Sequence, residues 1–195
     1  MEPVRRIVDG RRADTVQRLL NAALEEVRTV RYPELTVRSV AKRADVSPAT
    51  AYTYFSSKEH LLCSILWWKL QELPAPKPAA TPSSSAALTK AMQGIARLFT
   101  EEPELTRACT TALLAEDPEV HRLRDQIGSE LVRRMTDVIG PLHGISGEAF
   151  TMAFIGSLVL AGTGYLRFED LPGRLTKVTE LIMRNQPAQP KRRRR

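Results

Sequence analysis

The feature that most constrains the fold is a closely spaced series of helix-start signals: Thr36 before Val37, Ser47 before Pro48, and the string Ser56-Ser57-Lys58-Glu59. Ser and Thr side chains accept hydrogen bonds from the free N–H groups of a new first turn. Proline is preorganised for the first helical position, and Ser followed by Glu three residues on reads as a capping box. Starts this close together leave room only for two short helices, one presenting Val37, Val40, Ala41 and Ala44, the other lasting barely two turns before Ser56. Upstream, Val16, Leu19, Leu20, Ala23, Val27 and Val30 form one stripe of a longer helix, predicted from Asp14 to Arg31 and stopped before Pro33. Downstream, Leu61, Leu62, Ile65, Leu66 and Leu70 predict a fourth helix that also carries Trp67 and Trp68. Two short helices joined by a tight turn and packed on a scaffold helix form the arrangement that places a helix end in a DNA major groove. The turn is Asp45-Val46, and Asp tolerates the left-handed backbone such turns need.

The string Thr36 to Leu62, TVRSVAKRADVSPATAYTYFSSKEHLL, carries A-x-x-A-x-V-S, then T-x-Y-x-Y-F, then S-K-E-x-L. With those offsets it resembles the DNA-binding signature of the tetracycline-repressor family. The resemblance departs from the family pattern at Asp45, usually Gly, at Ala51, usually Leu, and at Thr53, usually a larger residue. It implies, together with helical geometry, that Ala51 and Phe55 face the module's own core while Pro48, Ala49, Tyr52 and Thr53 meet base edges. By the same resemblance Arg38 reaches a guanine, and Thr36, Thr50, Tyr54 and Lys58 contact phosphates.

Residues Pro74 to Ser85 hold four prolines and three serines, a composition that breaks helices. Beyond them helices are predicted at Ser85–Glu101, Pro103–Ala115, Pro118–Ile139, Gly147–Phe168 and Leu171–Met183, with no alternating strand pattern. The expected fold is all-α: a helix-turn-helix module at 1–60 with an N-terminal arm at 1–13, and a connecting helix leading into a helical effector and dimerisation domain at 61–186. A basic tail, 187–195, is expected to be disordered. Ala149 to Leu166 carries no charge, but Thr151, Ser157, Thr163 and three glycines dilute it and basic anchors do not flank both ends. It reads as a helix buried on most sides and not as a membrane span. The formal charge of +7 is unevenly spread, since Lys191 to Arg195 contribute +5 of it.

In the family the last two long helices of each subunit build a four-helix bundle across a twofold axis. The resemblance therefore implies a homodimer on a palindromic double-stranded operator, with Phe154, Leu158, Ala161, Gly162, Tyr165, Leu175 and Leu181 at the seam. Gly156, Gly162 and Gly164 permit close approach of a second helix, although an intramolecular core uses such glycines equally well. Candidates to line a pocket for a small, apolar effector are Trp67, Met92, Leu98, Phe99, Cys109, Leu113, Phe150 and Phe154, all of which also suit plain core packing. No cofactor or metal is expected: His60, His121 and His143 are scattered, Cys63 and Cys109 are far apart, and His121 with Asp125 lacks further ligands. Phosphate loops, nucleophile elbows and His-Glu-x-x-His helices do not occur, which argues against an enzyme, and without a secretory signal the cytoplasm is expected. A ligand-responsive repressor is the leading expectation, with a constitutive or architectural DNA-binding protein as the alternative.

Overall fold

The structure, a computed structural model, describes residues 2–75, 85–140 and 144–184. Among them are nine α-helices: α1 (Glu2–Thr29), α2 (Val37–Arg43), α3 (Pro48–Tyr54), α4 (Lys58–Glu72), α5 (Ser85–Thr100), α6 (Pro103–Ala112), α7 (Pro118–Ile139), α8 (Ile145–Gly162) and α9 (Leu171–Arg184). A 3-10 turn, Phe168–Asp170, precedes α9. The all-helical expectation holds. The tail at 187–195, His143 and most of the proline-rich stretch lie outside the described residues.

By packing, the described residues form two compact units, those within 1–74 and 98–130, and those within 75–97 and 131–195. In the first, α1 packs on α2, α4 and α6, α2 on α3, and α4 on α6. Its core includes Leu19, Ala23, Leu35, Val40, Leu61, Leu62, Ile65 and Leu70, joined by Cys109, whose thiol donates to the Leu62 carbonyl at 3.4 Å. Burial pushes the Cys63 thiol up to about 12, which leaves it protonated and unreactive. In the second unit α8 packs on α9, and Phe150 and Phe154 stack with centroids 5.9 Å apart.

Several boundaries differ from the sequence expectation, each for a local reason. Helix α1 begins at Glu2 and not at Asp14, so residues 2–13 continue the helix where an arm was expected. A single interior glycine such as Gly10 costs about 1 kcal/mol, too little to stop a helix of this length. Helix α8 ends at Gly162, because Gly164 (φ 80°) adopts the left-handed conformation and the amides of Gly164 and Tyr165 bond back to the carbonyls of Ala161 and Leu160. Helix α4 starts one residue later than read: Ser57 caps it by accepting from the His60 amide at 3.0 Å. Glu59 accepts from the Tyr32 hydroxyl at 2.7 Å, so the expected Ser56–Glu59 capping box does not form. A capping box does form at α2, between Thr36 and Ser39.

The uncharged helix α8 also differs. By length and composition it is long enough to cross a membrane, yet only 22% of it is buried within the chain. Phe150, Phe154 and Ala161 face inward, whereas Met152, Ile155, Val159 and Leu160 are exposed.

Candidate functional site

Helix α3 is set by its ends. The Ser47 hydroxyl accepts from the Thr50 amide at 3.1 Å and Pro48 occupies the first turn, while the Phe55 amide closes the last turn onto the Ala51 carbonyl. Ala51 and Phe55 are buried, which leaves Pro48, Ala49, Thr50, Tyr52 and Thr53 exposed, with Tyr52 presenting 53% of its surface. Arg38, in the first turn of α2, is exposed and pairs with no carboxylate among the described residues, and Thr36 beside it is exposed as well. Tyr54 is half-buried. Lys58 is partly committed: its ammonium donates to the Tyr32 carbonyl at 3.0 Å and lies 4.3 Å from the Tyr32 ring centroid, leaving two N–H donors for another acceptor.

The turn between α2 and α3 fixes how these groups are presented. Asp45 has φ 52°, the left-handed value the turn requires. The amides of Asp45 and Val46 bond to the carbonyls of Lys42 and Ala41, and Arg18 of α1 donates to the carbonyls of Ala44 and Asp45. Replacing Asp45 with Val is expected to destabilise the protein by about 1–2 kcal/mol, since a β-branched residue meets the full left-handed penalty. Asp45→Gly should stay within about 1 kcal/mol of the parent, relief of strain offsetting the greater freedom of the unfolded glycine. Denaturant melts of both variants measure the contrast, and equal midpoints would show that the turn carries no such constraint.

Polar ties surround this surface. Arg43 of α2 pairs with Glu26 of α1, and Arg28 of α1 forms a two-pronged pair with Glu102, just before α6. Asp117, just before α7, accepts from the hydroxyls of Ser57 and Ser56. Neither Glu102 nor Asp117 was singled out in the sequence. The Asp117-Pro118-Glu119 order is a helix-start pattern that could have drawn attention to Asp117, but serines 60 and 61 positions away leave no local trace. The Arg28 guanidinium holds the Glu102 carboxyl below the usual glutamate range, and the Ser57 hydroxyl does the same for Asp117. A depressed folded pKa contributes stability that is present above the unfolded value and is lost as pH falls through the folded one. Stability should therefore decline as pH drops below about 4.5, and Glu102→Gln should flatten that decline. A variant whose melting profile between neutral and acid pH parallels the parent's would remove Glu102 from this account.

The eight pocket candidates are not gathered in one cavity within either unit. Trp67, Leu98, Phe99, Cys109 and Leu113 belong to the first unit and Met92, Phe150 and Phe154 to the second. Met92, Phe99, Cys109, Phe150 and Phe154 are buried. Phe150 lines an open groove of about 420 Å³, which it shares with Val132, Thr136, Gly147, Glu148, Thr151 and Met152. Sequence reading missed Val132, Thr136 and Met152 because their exposure depends on how α7 and α8 are rotated.

The seam candidates divide as well. Phe154, Ala161 and Leu175 are buried inside their own chain, Leu158 and Gly162 are half-buried, and Tyr165 and Leu181 are exposed. Met152, Ile155 and Val159, at helical spacing on α8, are exposed by 72%, 42% and 40%, and Val178 and Leu181 are exposed on α9. The apolar surface therefore runs along a different stripe of α8 from the one expected.

Residues 19–65 match the family described as bacterial regulatory proteins, tetR family. The chain is 41% identical over 177 residues to an uncharacterized HTH-type transcriptional regulator of Mycobacterium tuberculosis, covering 89% of this chain and 82% of that protein. It is 29% identical over 175 residues to the HTH-type transcriptional repressor KstR of Rhodococcus jostii, covering 86% of this chain and 82% of KstR. In fold it matches a TetR transcriptional regulator from Rhodococcus sp. RHA1, with TM-score 0.70, 19% identity and coverage of 88% of this chain and 98% of the other. It also matches Thermus thermophilus FadR, a TetR-family repressor solved with lauroyl-CoA, with TM-score 0.63, 20% identity and coverage of 91% and 97%.

Proposed function

The chain belongs to the tetR family of transcriptional regulators, and from that premise we propose that it is a repressor that binds a palindromic operator as a homodimer and leaves it when a small apolar effector binds. The observation that carries the DNA reading is the two-sidedness of α3: Ala51 and Phe55 are buried while Pro48, Ala49, Tyr52 and Thr53 are exposed, as is Arg38 on α2. These five side chains read bases in this proposal, Arg38 as a donor pair to guanine and the small apolar groups against thymine methyls. Thr36, Thr50, Tyr54 and the remaining donors of Lys58 contact phosphates and set the register. One module of this size buries too little surface for a strong specific complex, so a twofold pair of half-sites supplies the rest.

The exposed stripe of Met152, Ile155 and Val159 with Val178 and Leu181 supports the dimer, because an apolar face of this extent on α8 and α9 is otherwise left in water. For the effector, a ligand with an apolar chain, such as an acyl thioester, is supported by two relatives in fold solved with acyl-CoA, the FadR proteins of Thermus thermophilus and Bacillus subtilis. Repression is supported by the similarity to KstR.

Selection of bound duplexes from a random pool by the full chain tests the whole reading. A short inverted repeat released by an acyl thioester is expected; long, salt-sensitive coverage without a preferred sequence would favour an architectural protein instead. Arg38→Ala is expected to relax one position in each half-site, by about 1–3 kcal/mol of discrimination. A recovered consensus that is unchanged by this substitution would withdraw Arg38 from base reading.

A further inference from the structure

The joint between α3 and α4 consists of three residues, Phe55, Ser56 and Ser57. With two soft torsions per residue, a joint this short transmits any local displacement into the direction of α3. The Asp117 side chain, from outside the helix-turn-helix, reaches it. Asp117 accepts from the Ser57 hydroxyl at 2.7 Å and from the Ser56 hydroxyl at 3.0 Å, both through Oδ2, while Oδ1 accepts from the Glu119 amide at 2.8 Å. The contact extends to the end of α3. The Ser57 hydroxyl accepts from the His60 amide, the Ser56 amide donates to His60 Nδ1 at 3.2 Å, and the His60 ring stands edge-on to buried Phe55 at 5.5 Å.

We propose that Asp117 is a positioning residue for DNA recognition, holding the α3–α4 joint from the corner between α6 and α7 and so setting the direction in which α3 is presented. As the cap of α7, Asp117 accepts from the Glu119 amide through Oδ1. The second oxygen, Oδ2, accepts from both serines of the joint. Hydrogen bonds to an ionised carboxylate are roughly twice as strong as neutral ones, which suits this oxygen to hold a short linker in one geometry. The inference rests on the DNA-binding reading above and adds to the recognition apparatus a residue far outside the segment that matches the family.

The test uses the full chain with two probes, the operator duplex recovered by selection and a scrambled duplex of the same length. The decisive variant is Ser56→Ala/Ser57→Gly, because glycine is a tolerated N-cap and Asp117 continues to cap α7. This variant and Asp117→Ala are each expected to lower operator affinity by about tenfold or more while changing scrambled-duplex affinity by less than about twofold. Combining all three substitutions should be no worse than the more severe of the two, since the same link is cut. Ser56→Thr/Ser57→Thr, which keeps both hydroxyls, should restore the operator-to-scrambled ratio. A serine variant with wild-type circular dichroism and an unchanged ratio overturns the inference, and it decides alone if Asp117→Ala does not fold. A wild-type chain with no sequence preference overturns the repressor reading and this inference with it, whereas a preference that the serine variant retains overturns this inference only.

Discussion

Replacing Ile155 with Glu is expected to convert the proposed dimer to a monomer and to abolish tight operator binding. Ile155 lies between Met152 and Val159 on the exposed stripe of α8. A twofold interface meets the substitution twice. At about 3 kcal/mol for each buried, unpaired carboxylate, the dimer dissociation constant rises by roughly four orders of magnitude. Each subunit should still fold, since the position faces away from its own core, and circular dichroism should be unchanged. Sedimentation at micromolar protein checks the outcome. A variant that stays dimeric and keeps operator affinity would move the seam off this stripe.

The second large effect is expected at Phe154, which the sequence offered both to the ligand pocket and to the seam. In the structure it is fully buried and stacked on Phe150 within one chain. Phe154→Ala should therefore cost about 3–5 kcal/mol through lost burial and the cavity left behind. In a chain of this size each kcal/mol lowers the melting midpoint by about 2–4 °C, so a loss of roughly 6–20 °C is expected. Comparison at equal protomer concentration keeps dimerisation from masking the change. Leu181→Ala serves as the contrast: Leu181 is 60% exposed in the single chain, so its loss should weaken association and leave the fold of the subunit intact. A Phe154→Ala midpoint close to the parent's would mean that the stacked pair is not the centre of the second unit's core.

The helix-turn-helix was legible because its information is local. Thr36, Ser47 and Pro48 satisfy or remove the free N–H groups of the turns that follow them. The left-handed turn at Asp45 closes onto the neighbouring carbonyls of Lys42 and Ala41, and the alternation of Ala51 and Phe55 with Ala49, Tyr52 and Thr53 follows from 3.6 residues per turn. Helix α7 begins at Pro118 and ends at Ile139 as read, because its boundaries too are written in adjacent residues. The same locality explains the one cap that was misread: Ser56 and Ser57 are both competent caps, and the choice between them depends on Tyr32, a distant residue that engages Glu59.

What only the tertiary structure decided was rotation and distant partnership. Helix α8 carries no charge from Ala149 onward, so nothing in its sequence distinguishes an inner from an outer side. Its packing on α9 turned Phe154 and Ala161 inward and Ile155 and Val159 outward. For a related reason the sequence does not say which pocket candidates share a cavity, since apolar residues on separate helices carry no mark of which neighbour each will face. Asp117 with Ser56 and Ser57, and Arg28 with Glu102, are pairs of ordinary surface residue types separated by 60, 61 and 74 positions. Caps and turns are determined by sequence neighbours, whereas the rotation of a helix and the partner of a surface carboxylate are determined by whatever the rest of the chain packs against them.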